Sequence, residues 1–148
     1  MIEVLRNMMV GIKYFTAEEI LMGKIVPSEL LPNIIPTLKV LDYVREYINI
    51  PIYINSTYRN SEYNSLVGGK SSSLHLSFNA IDFTFKPNSN YNLKEVYEML
   101  HNWDMEYSFK FLPSASSMGL GLYERQYFIH IDTRKIICRT APARWGGV

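Results

Sequence analysis

The sequence predicts an α+β fold, a mainly antiparallel sheet with helices packed on one side. Three patterns carry that reading. Leu31, Ile34, Leu38, Leu41 and Ile48 recur near a 3.6-residue period, as on a helix with one apolar face. Ala80–Phe85 alternates: Ile81, Phe83 and Phe85 point one way, Asp82 and Thr84 the other. Gly119–Tyr123 and Phe128–Thr133 are two short strand-like runs at hairpin spacing.

In chain order, Thr16-Ala-Glu-Glu19 forms a capping box and starts a short helix through Leu21 or Met22, which Gly23 ends. Leu31-Pro-Asn-Ile-Ile-Pro36 opens a longer helix to about Ile48, because proline is tolerated in a first turn but not deeper. Pro51–Asn55 reads as a strand with Ile52 and Ile54 on one face. Ser56–Ser73 is loop-rich: Asn60-Ser61 starts a turn, and Gly68-Gly69 permits positive φ. After the Ala80–Phe85 strand and a polar turn, Asn92-x-x-Glu95 caps a helix through Trp103, with Leu93, Val96, Tyr97 and Leu100 inward. Met105, Tyr107, Phe109 and Phe111 alternate with Glu106, Ser108 and Lys110, which predicts a third strand. Pro113–Met118 is a loop ahead of the hairpin. Arg144-Trp145 closes the chain, with Trp145 packing the tail onto the fold.

A chain of 148 residues with 47% hydrophobic content suits one domain with its own core, here 14–145 behind an N-terminal extension over 1–13. Fifteen Lys and Arg against 14 Asp and Glu are interspersed, giving a net charge of +1 and no basic stripe for nucleic acid. No apolar run reaches membrane-spanning length, so membrane insertion is not expected. Residues 1–15 lack a secretory pattern, which predicts synthesis in a bacterial cytoplasm. Cys138 is the only cysteine, so no internal disulfide forms, and it reads as a small buried hydrophobe. A monomer is expected.

Chemistry gathers at His75, Asp82 and His130. Two imidazoles and one carboxylate are a three-ligand set that leaves a fourth position on a zinc ion open, as catalytic zinc requires. Asp132 lies two residues beyond His130, on the same strand face. It is placed to hydrogen-bond a ligand histidine, to approach the metal, or to take a proton from water. Spacing alone serves equally a metal set and a core histidine pair beside a surface acid.

The flanking residues extend the pattern. Ile54-Asn-Ser-Thr-Tyr-Arg59, Asn64-Ser-Leu-Val-Gly-Gly69, Ser73-Leu-His-Leu76 and Ala80-Ile-Asp-Phe83 resemble the signature of the zinc D-alanyl-D-alanine carboxypeptidases. Gly119-Leu-Gly-Leu, Phe128-Ile-His-Ile-Asp132 and Arg144-Trp145 look like that family's ending. The likeness runs from about Tyr14 to Trp145 and is nearest to the short phage-type branch. It implies the Hedgehog/DD-peptidase fold and a zinc peptidase that cuts peptidoglycan stem peptides, as a phage endolysin or cell-wall peptidase. Such a protein, lacking a signal, is delivered to the wall or is virion-associated.

The resemblance further implies one zinc ion held by His75, Asp82 and His130. Arg59 would hold a substrate carboxylate or polarise the scissile carbonyl, and Ser73 would support the loop. The acid that many members carry three residues before the last histidine is Tyr127 here. Asp132 is therefore the first candidate for general base and Glu124 the second, with Tyr127 able only to donate a hydrogen bond. Two glycines of the pattern are replaced, by Thr57 and Phe78. A non-catalytic virion or cell-wall-binding module on the same fold is the alternative.

Overall fold

The computed structural model describes residues 1–146. Helix α1 covers Ile2–Met8 and α2 Ala17–Leu21. A 3-10 helix over Ser28–Ile34 runs straight into α3, Ile35–Ile48. Strand β1 is Ile52–Ser56, helix α4 is Ser61–Leu66, strand β2 is Ala80–Phe85 and helix α5 is Leu93–Met105. Strands β3 (Gly119–Tyr123) and β4 (Phe128–Asp132), a 3-10 turn over Arg134–Ile137 and strand β5 (Ala143–Trp145) complete the elements of the described residues.

Local chemistry accounts for most boundaries. At α2 the Thr16 hydroxyl accepts from the Glu19 amide at 3.1 Å, and the Glu19 carboxylate accepts from the Thr16 amide at 3.0 Å. Asn92 caps α5 through the Glu95 amide at 2.8 Å. Pro32 lacks the N–H that an α-helix would use, so the first turns of the expected long helix are 3-10, and α3 proper starts with Pro36 in its first turn.

Five expectations are corrected. Residues 1–13 are not a mere extension: α1 buries Leu5 completely and places Met9 in the core. Within the polar run after β1, Asn60 caps a helix, its side chain accepting from the Tyr63 amide at 2.8 Å. No strand forms over 105–111. Met105 ends α5, Tyr107 turns the chain at φ +57°, and its hydroxyl donates to the Leu112 carbonyl at 3.0 Å while Phe109 and Leu112 drop into the core. The tail contributes β5, among the described residues the one strand that runs parallel to its neighbour. Cys138 is exposed at a left-handed turn, not buried.

The five strands lie in the order β1-β2-β4-β3-β5, antiparallel except for β3 with β5. Strand alternation divides the sheet into two faces. Ile81, Phe83, Leu120, Leu122, Ile129 and Ile131 are buried in one apolar cluster with α3 and α5, whose inner faces supply Leu38, Leu41, Val44, Val96, Tyr97 and Leu100. The opposite face carries two transverse rows. Ser56, Asp82, His130, Gly121 and Trp145 are successive cross-strand partners across all five strands. Ala80, Asp132, Gly119 and Ala143 form the next row.

One buried polar knot fixes the approach to these rows. The Asn79 side chain donates to the Thr133 hydroxyl at 3.0 Å and accepts from the Thr133 amide at 3.1 Å. Thr37 on α3 donates its hydroxyl to the Asn79 carbonyl at 2.6 Å. Helix, loop and sheet are thereby tied where β2 begins and β4 ends.

Candidate metal centre

The sheet register brings Asp82 and His130 side by side, and the loop ahead of β2 brings His75 to them. Asp82 Oδ1 lies 2.9 Å from His130 Nδ1, and Asp82 Oδ2 lies 3.2 Å from His75 Nε2. One donor atom from each of the three residues falls within 4.8 Å of the others, and all three side chains are buried. The two imidazole rings meet edge to face, 5.2 Å between centroids.

Each imidazole has its outer nitrogen committed to the protein. His75 Nδ1 is 2.7 Å from the Thr57 carbonyl, an acceptor, so an N–H sits there and Nε2 is the nitrogen turned toward Asp82. Thr57 is itself pinned, its hydroxyl donating to the Ile20 carbonyl at 2.6 Å. His130 Nε2 is 2.8 Å from Asp132 Oδ2, so Nδ1 faces Asp82. Inward-facing nitrogens whose outer partners are anchored acceptors are the arrangement that orients histidine toward a metal. The chemistry of this donor set, two imidazole nitrogens and a carboxylate oxygen, fits a transition-metal ion such as zinc.

Electrostatics agree with the geometry. Burial opposes the charge on Asp82, but hydrogen bonds from His130 and His75 outweigh it and hold the carboxyl well below its ordinary range. Burial likewise opposes the imidazolium of His130, while Asp132 and Asp82 overcome it and raise the pKa to about 9. Without a metal, a proton occupies the place between the ring and Asp82.

Asp132 stands behind His130. It is fully buried, and Arg134 forks onto it, Nε to Oδ1 at 3.0 Å and Nη2 to Oδ2 at 2.9 Å. The Gly119 amide donates to Oδ1 at 3.0 Å. Both carboxylate oxygens are therefore occupied away from the opening.

The two glycines of β3 are explained by space. A Cβ on Gly119 would lie 2.4 Å from Asp132 Oδ2, and one on Gly121 would lie 2.2 Å from the Trp145 indole nitrogen. Gly121 lets the indole lie across the sheet against His130, 5.1 Å between ring centroids. Alternation sends Arg144 to the other face, where it reaches Asp104 at 2.6 Å, the Met118 carbonyl at 2.7 Å and His101 at 2.9 Å. The Arg144-Trp145 pair thus clamps β5 from behind and presents an indole in front.

A cleft of about 690 Å³ opens over the cluster. A family model described as Peptidase M15 matches residues 13–132. The chain belongs to that peptidase family. A search of the curated proteins finds no match.

Among the residues that the M15 resemblance singled out, His75, Asp82, His130, Arg59 and Ser73 line the cleft. Arg59 is 17% exposed, its Nη2 is 3.4 Å from Asp82 Oδ2, and its buried Nε has no partner. Ser73 accepts from the His75 amide at 3.3 Å. Asp132, Glu124 and Tyr127 do not line the cleft. Asp132 is spent on His130 and Arg134, so the expectation of a general base there is replaced by that of an orienting group. Glu124 and Tyr127 are exposed in the β3–β4 turn, Tyr127 at φ +65°, which is why neither reaches the cluster. The loop over 113–118 lies away from the cleft, held to α5 through Asp104, which accepts from the Ser117 amide at 2.9 Å.

Five contributors escaped the sequence reading. The Thr57 carbonyl is backbone and leaves no side-chain signal. Arg134 was detectable as a base two residues past Asp132. Gly121 and Trp145 were visible as a motif, but not as partners in one row. Tyr123 lines the cleft beside them, its hydroxyl accepting from the Trp145 indole N–H at 2.8 Å.

Proposed function

We propose that the chain is a zinc peptidase hydrolysing peptide bonds in peptidoglycan stem peptides, as an endolysin or cell-wall peptidase. The observation that supports it best is the pair of anchored imidazoles turned toward one ionised carboxylate at the floor of an open cleft. His75, Asp82 and His130 would hold the ion. Zinc supplies Lewis acidity and an activated water, both of which peptide hydrolysis needs.

The protein's own groups then bind and orient. Arg59, with an unsatisfied Nε and a weak 3.4 Å contact to Asp82, is free to turn its planar fork to a carbonyl or carboxylate of the peptide. Tyr123 accepts from Trp145, which leaves its own phenolic hydrogen for a substrate oxygen. The Trp145 indole and the stacked pair Tyr123–Phe128, 4.3 Å between centroids, form an apolar wall beside the scissile bond.

The alternative, a wall-binding module without activity, draws on one observation: among the described residues Asp82 is the only carboxylate lining the cleft. One assay separates the two readings. Purified protein with zinc is incubated with isolated cell walls, and new amino groups are counted against His130→Ala. Amine release by the wild type alone is the expected result. Zinc and wall binding without release would leave the module.

A further inference from the structure

The charge around the cleft is lopsided in a chain that is almost neutral overall. Fifteen Lys and Arg face 14 Asp and Glu in the sequence, yet the cleft is lined by Arg59, Lys70, Arg134 and Arg139 against Asp82 alone. Two of the four are answered within the protein. Arg59 lies by Asp82, and Arg134 is forked onto Asp132. Among the described residues, Lys70 and Arg139 have no acidic partner within salt-bridge distance.

These two reach one cleft from different parts of the chain. Lys70 sits on the loop that follows α4 and leads to His75, where its carbonyl accepts from the Ser73 amide at 3.0 Å. Arg139 follows the 3-10 turn after β4, and its Nη1 donates to the Ser72 carbonyl at 3.3 Å. That bond ties the guanidinium to the loop that carries Lys70, and both residues line the cleft. Two unpaired cations lining one cleft give it a positive field that an anion would answer. A cation at the His75–Asp82–His130 cluster would deepen the positive field further.

We infer that Lys70 and Arg139 form an anion subsite that selects peptides carrying a free carboxylate away from the scissile bond. The inference rests on the peptidase reading for its substrate, and it names the chemical class that this cleft prefers. Arg139 supplies the directional fork and Lys70 the mobile point charge. Neither touches the metal cluster, so the subsite acts on substrate choice and leaves the metal alone.

The test uses a pair of labelled stem tripeptides, identical except that the central residue's free carboxylate is amidated in one. Binding to the zinc-loaded protein is read by fluorescence anisotropy, which reports the subsite whether or not a bond is cut. The expected result is at least about tenfold tighter binding of the acid, about 1.4 kcal/mol. In Lys70→Gln/Arg139→Gln the preference should fall below about twofold, and in the wild type it should shrink as salt shortens the Debye length from about 10 Å to about 3 Å. Equal binding of acid and amide by the wild type, or an undiminished preference in the double variant, would overturn the inference. Failure of the peptidase reading looks different: the acid would still be preferred, with no amine released from cell walls.

Discussion

Asp132 is the residue whose surroundings depart most from the sequence expectation. A base for water must reach the cleft, whereas Asp132 is buried behind His130 with Arg134 and the Gly119 amide on its oxygens. Asp132→Ala should therefore weaken zinc binding about 10- to 100-fold in a chelator competition, the range for losing an outer partner of a ligand histidine. If Asp132 were the base, zinc affinity would hold and only kcat would fall. The proton between His130 and Asp82 gives a second prediction. With its pKa raised to about 9, His130 is an imidazolium in the metal-free protein at neutral pH, so zinc must displace a proton. Calorimetry in buffers of different ionisation enthalpy should show about one proton released, with affinity falling about tenfold for each pH unit below 9. The sign for stability runs the other way. The folded pKa lies above the ordinary value, so the metal-free protein has this stabilisation in full below about 6.5 and loses it as pH rises through about 9. Denaturant unfolding of metal-free protein across that window checks it. Phe78 poses a contest of magnitudes. It holds a left-handed φ of +54°, where the family pattern has glycine, yet its ring is fully buried beside Tyr58. Phe78→Gly relieves about 1 kcal/mol of strain but forfeits about 3–5 kcal/mol of packing, for a net loss of about 2–4 kcal/mol by thermal or denaturant unfolding.

At the scale of elements, the sheet register does what sequence spacing cannot. Asp82, His130, Gly121 and Trp145 are scattered over the chain and become neighbours only because four strands pair in one register. A one-residue slip of β4 would send His130 into the apolar cluster. The site strands β2 and β4 were legible because each alternates cleanly between an apolar core face and a polar site face. The capped helices α2 and α5 were legible through their Thr16/Glu19 and Asn92/Glu95 pairs. Strand β5 was not, since three residues give no period and its place depends on a gap left by Gly121. The false strand at 105–111 shows the reverse failure. Tyr107, Phe109 and Leu112 are apolar because a turn folds them into or against the core, and turns imitate alternation over short runs. Gly121→Ala should therefore act on a whole element: the indole must move, β5 loosens, and amide exchange at 143–145 quickens while β2 and β4 keep their protection.

For the whole molecule, the helices on one sheet face secure the fold and leave the other face free for chemistry. Residues from α1 to β4 share one apolar cluster, while the opposite face holds a charged, hydrogen-bonded set with a cleft above it. Among the described residues no helix is long and apolar enough to cross a membrane. Zinc binding to such a pre-formed set should stabilise the fold by mass action, about 4 kcal/mol at a thousandfold excess over Kd, and the rise in melting temperature should vanish with a chelator. The most direct test of the whole account is the metal itself. Elemental analysis after equilibration with zinc and gel filtration should find one zinc per wild-type chain, and far less in His75→Ala, Asp82→Ala and His130→Ala taken singly. A wild type that retains no zinc, or three variants that keep it as the wild type does, would contradict the account.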